Sequence, residues 1–90
     1  MTSGNRKYER DITSLIIRYS LPTYTPKKEL IAMMENYSYA GLRMVTRHQL
    51  EKGQEVLIDG GFWEDALPAI VRWLKSIGDT TFQIGLEFKR

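Results

Sequence analysis

The 90-residue sequence predicts an all-β domain, a small antiparallel barrel or sandwich. Three observations carry that expectation. Six short runs of apolar, β-branched and aromatic residues follow one another, with turn residues at intervals of roughly 8–14 positions. The last run alternates without a break: Phe82, Ile84, Leu86 and Phe88 fall on one side, Thr81, Gln83, Gly85 and Glu87 on the other. That is the pattern of a strand with one buried and one wet face. Finally, no segment carries the i, i+3, i+4 spacing of a convincing long helix.

Taken in order, Met1 to Asn5 is small and polar, and Arg6-Lys7-Tyr8-Glu9-Arg10 follows it with three cations. Residues 1–11 are expected to form a mobile arginine segment, and residues 12–90 the barrel, as one domain. Arg6 and Arg10 share a face if the segment is helical; from an extended loop they can wrap opposite sides of a ligand. Read alone, a solvated charge cluster is the simpler account.

Leu15-Ile16-Ile17-Arg18-Tyr19 reads as the first strand, with Leu15, Ile17 and Tyr19 on one side. Pro22 and Pro26 bracket a loop. The second strand runs from about Lys28 to Met34, and the third from about Leu42 to Thr46. Between them lies a turn, Glu35 to Gly41, that holds an amide, a hydroxyl and a glycine. One helical turn is expected over Arg47 to Lys52 before Gly53 ends it. Gln54 to Ile58 is a short strand, and Asp59 to Asp65 a loop by its glycines and acids. Ala69 to Leu74 is the fifth strand, in which Ala69, Val71 and Trp73 are expected to share a face. Ser76 to Thr80 supplies a hairpin turn. Gly85, with no side chain in the last strand, suggests a close backbone approach or a bend on the outer face.

Composition narrows the chemistry. The chain has no cysteine and a single histidine, so disulfides, thiolate metal sites and multi-histidine sites within one chain are excluded. His48 is expected at the surface, beside no serine or aspartate partner, and nothing pairs a nucleophile with a base. Binding, not catalysis, is the expected class, with no cofactor. No apolar run reaches the roughly 18–20 residues of a membrane span, and a cytoplasmic location is the default expectation. The net charge of +2 favours an anionic partner only weakly.

Two motifs then stand in register with this pattern. Arg6-x-x-x-Arg10 is followed, after the second strand, by Asn36-x-Ser38-x-x-Gly41. Together they resemble the signature of the PilZ family, RxxxR followed by D/N-x-S-x-x-G. Leu42-Arg43-Met44-Val45, the Lys52-Gly53-Gln54 turn and Phe82 to Phe88 are also similar to PilZ sequences, so the likeness spans nearly the whole chain. The resemblance implies a six-stranded antiparallel β-barrel that binds cyclic di-GMP, a second messenger with two guanines and two phosphates. It implies that Arg6 and Arg10 grip guanine edges or phosphates and close over the ligand. Asn36 would address another guanine edge, and Ser38 the base amine or a phosphate. Gly41 would leave room for the ligand and allow a tight backbone. Trp73 either stacks on a guanine or packs in the core.

Two features depart from the family pattern. Asn5 stands where many members carry a further arginine, the extra cation that favours a stacked ligand dimer. The chain also ends at Arg90, which leaves no room for a substantial C-terminal helix. A receptor of this kind signals by shape change to a downstream protein partner, and self-association is a further expectation. Two other readings remain: a PilZ-fold interaction module that binds no nucleotide, and a barrel for single-stranded nucleic acid. Arg18, Arg43 and Arg72 are sparse for the last of these.

Overall fold

In the computed structural model, which describes residues 15–22, 28–60 and 65–89, the alternating segments pair into six strands. They are β1 (Leu15–Leu21), β2 (Lys28–Tyr37), β3 (Gly41–Thr46), β4 (Glu55–Asp59), β5 (Leu67–Gly78) and β6 (Thr81–Phe88). All neighbours are antiparallel, in the order β1-β2-β3-β6-β5-β4, and β4 pairs back to β1, so the sheet is a closed barrel. The choice between barrel and sandwich is thereby made, and among the described residues there is no helix. Closure removes the free sheet edges that would otherwise pair with other chains.

Cross-strand partners show how the core is assembled. Tyr19 stands between Leu30 and Ile58, Ala32 between Ile17 and Thr46, and Met44 between Met34 and Ile84. Because partners directly opposite point to the same face, these side chains converge inside the barrel, where nearly all are buried. Leu50, which lies outside the strands, is buried in the same core.

The expected helical turn over 47–52 does not form. The Thr46 hydroxyl accepts from His48 N–H at 3.3 Å, a local bend that competes with helix. The chain then buries Leu50 and turns at Glu51–Gln54, with Gly53 at a φ of 90°. His48 is half-buried and not fully at the surface. Desolvation, with the nearby Lys28 charge, holds its imidazole below the usual histidine range.

The Tyr19 hydroxyl and Thr46 Oγ1 lie 2.8 Å apart inside this core. Burial pushes the phenol up from its ordinary value of 10.0, and the bond to Thr46 offsets only part of that. Tyr19→Phe is expected to cost about 1 kcal/mol and to lower the melting temperature by about 4–8 °C. The folded phenol stays protonated where the unfolded one ionises. Its stabilising contribution is therefore complete below pH 10 and is lost as pH rises through the folded value. Thermal unfolding scanned from pH 8 upward should show a shallower alkaline fall in Tyr19→Phe than in the parent protein.

Candidate functional site

Strict alternation breaks at three places; one lies beside the β5–β6 turn, between Ser76 and Gly78, and the other two build a single surface. In β2 the register with β3 shifts between Met34 and Asn36; in β5 the register with β6 shifts between Val71 and Trp73. Met34 and Val71 point inward and are fully buried. Without an extra residue, Asn36 and Trp73 would point inward two positions later. Each bulge inserts one residue, Glu35 or Arg72, and turns the next side chain outward. Trp73 therefore does not share the face of Ala69 and Val71 as its spacing suggested. It is 43% exposed and stands outside the core.

The outcome is one row of outward positions across four neighbouring strands. Asn36 of β2 lies opposite Arg43 of β3, Arg43 opposite Gly85 of β6, and Gly85 opposite Trp73 of β5. Gly41 and Glu87 form the next outward pair. A depression of about 380 Å³ opens over these positions and is lined also by Ser38 and Arg72. A second hollow, near Arg18 and Asp59, is about 80 Å³.

Two glycines set the shape of this surface, for different reasons. A Cβ on Gly85 would coincide with the Trp73 indole, so the ring lies against bare backbone. The close approach expected at Gly85 is thus made by Trp73. A Cβ on Gly41 would fall on the Leu86 carbonyl. The absent side chain at Gly41 is required by the β3–β6 seam itself.

Ser38 holds the β2–β3 turn. Its backbone N–H donates to the Gly41 carbonyl at 2.9 Å, and its hydroxyl accepts from Ala40 N–H at 3.3 Å. The Ala40 carbonyl accepts from Phe88 N–H at 2.8 Å, which ties the turn to β6. The β5 bulge is held from its other side: Gly53 N–H donates to the Val71 carbonyl at 2.8 Å, and Val71 N–H to the Gln54 carbonyl at 2.9 Å.

The charged groups at the site come in pairs. Arg43 Nε donates to Glu35 Oε1 at 3.2 Å, and Gln83 Nε2 donates to the same oxygen at 2.8 Å. Arg72 Nε donates to Glu87 Oε1 at 2.6 Å. Guanidinium, indole and amide groups on one wall can stack a planar ring and hydrogen-bond its edge.

Asn36, Ser38, Gly41 and Trp73, expected at the site from sequence, line this one depression. Arg6 and Arg10 lie outside the described residues. Sequence reasoning did not assign Arg43, Arg72 and Glu87 to the site. Arg43 was legible, since it alternates with inward Leu42 and Met44 and so shares the face of Gly41. Arg72 was legible as outward on the same grounds, next to inward Val71, but only the bulge turns Trp73 outward beside it. Comparison with protein-family models, with curated proteins and with solved structures finds no match to this chain.

Proposed function

We propose that this protein is a cyclic di-GMP receptor that signals by conformational change to a partner protein. The observation that carries the reading is the outward row Asn36–Arg43–Gly85–Trp73. With it, Asn36 at the end of β2, Ser38 of the β2–β3 turn, Gly41 at the start of β3 and an exposed indole line one depression, although the indole is distant from the others in sequence. Each part of the ligand finds a chemical counterpart. A guanine offers a flat face to the indole, a contact worth roughly 1–3 kcal/mol per base. Its edge offers acceptors and donors to Asn36. The phosphates are the natural partners of Arg6 and Arg10, which also complete the resemblance to the PilZ signature. If the arginine segment orders as it closes, part of the contact energy is lost to entropy.

Calorimetric titration of cyclic di-GMP tests this. Saturable binding is expected for the parent, with Arg6→Ala, Arg10→Ala and Asn36→Ala each weakening it by roughly 5- to 150-fold, as for loss of one charge-assisted phosphate contact or one base-edge contact. No saturable binding by the parent at micromolar ligand overturns the proposal.

A second reading, an interaction module without nucleotide, has one observation in its favour. Ile16 lies opposite Met33 on the outer face of β1 and β2, with Ile31 next along that face of β2, and all three are exposed. A row of this kind suits protein contact. Tight partner binding undiminished by Asn36→Ala would favour that reading.

A further inference from the structure

The β5 bulge sets Arg72 and Trp73 side by side on the outer face, where a regular strand would have sent them to opposite faces. Arg72 donates to Glu87 at 2.6 Å, and both side chains line the depression with the indole. On the other side of Gly85 in the row, Arg43 is paired with Glu35. Each arginine of the described wall thus has its own carboxylate, and two guanidinium groups face two carboxylates.

That balance bears on which part of a nucleotide the wall can hold. A phosphate brought to Arg72 would meet Glu87 as a like charge in the same hollow, which is unfavourable. A guanine edge has the opposite relation to the pair. Its O6 and N7 accept from a guanidinium fork, and its N1–H and 2-amino group donate to a carboxylate. Adenine carries an amine where guanine has O6, and it lacks both the N1–H and the 2-amino group. It would leave donors facing donors, and a buried polar group without a partner is costly.

We infer that the Arg72–Glu87 pair beside Trp73 is a base-edge reader, which makes this depression a guanine pocket and leaves the phosphates to cations outside it. The inference rests on the receptor reading for the dinucleotide, yet a guanine preference is measurable on a mononucleotide. Guanosine and adenosine 5′-monophosphates are titrated into the full chain while the Trp73 indole N–H resonance is followed, assigned by its loss in Trp73→Phe. The guanine nucleotide should bind at least about tenfold tighter than the adenine one. Glu87→Gln and Arg72→Ala should each weaken it by roughly tenfold and leave adenine binding unchanged.

Equal affinity for the two nucleotides overturns the inference. So does tighter guanine-nucleotide binding by Glu87→Gln, since the carboxylate would then merely compete with phosphate for Arg72. Should Arg72→Ala fail to fold by circular dichroism, the isosteric Glu87→Gln decides alone. Guanine preference without any binding of cyclic di-GMP would sink the receptor reading and leave the pocket standing.

Discussion

Gly41→Ala is expected to lower the melting temperature by about 10–20 °C, for a loss of about 2–3 kcal/mol. The added methyl would occupy the position of the Leu86 carbonyl oxygen, with Leu86 C and Glu87 Cα also at 3.0 and 3.1 Å. All three are backbone atoms of β6. They cannot rotate away, so relief requires that β3 and β6 part where Gly41 pairs with Glu87 and Leu42 with Leu86. Leu86 and Phe88, buried just behind this seam, would lose contacts as it opens. Differential scanning calorimetry gives the shift. An unchanged melting temperature would mean that the seam can widen freely, contrary to its geometry.

The same substitution at Gly85 is expected to behave in the opposite way. Its new methyl meets the Trp73 indole, a side chain at the surface that can swing outward. Lost packing of the ring is offset by the better strand-forming character of alanine, so stability should change by less than about 1 kcal/mol. Cyclic di-GMP binding should nonetheless fall by roughly 5- to 150-fold, because a displaced indole no longer stacks the base. The measurements are a melting curve, a ligand titration and tryptophan emission, which should shift to the red as the ring enters water. Strong destabilisation with intact binding would show that the indole is not the stacking surface.

The fold was legible wherever alternation is regular. β6 buries Ile84, Leu86 and Phe88 and exposes Glu87 as its alternation indicates, with Gly85 buried under the Trp73 ring, and β1 buries Ile17 and Tyr19 as their spacing indicates. Local spacing does not encode which strands pair. The β3–β6 and β1–β4 contacts that close the barrel join segments about forty residues apart. The site was half legible. Asn36, Ser38 and Gly41 form a recognisable string, but the face on which Asn36 stands depends on the bulge at Glu35. Alternation put Trp73 with Val71, and one inserted residue reversed that. Gly41 lines the depression, but the space expected there for a ligand is taken up by β6.

The two bulges make this surface sensitive to counting more than to identity. Glu35 and Arg72 each sit at a position where the chain carries one residue more than its neighbour needs. A different side chain there leaves the following residue facing outward. Removal of either residue would not: the strand would revert to plain alternation, and Asn36 or Trp73 would be driven toward an interior with no partner for an amide and no space for an indole. Genetic variation in these segments should therefore be rich in point substitutions and nearly empty of single-codon insertions and deletions.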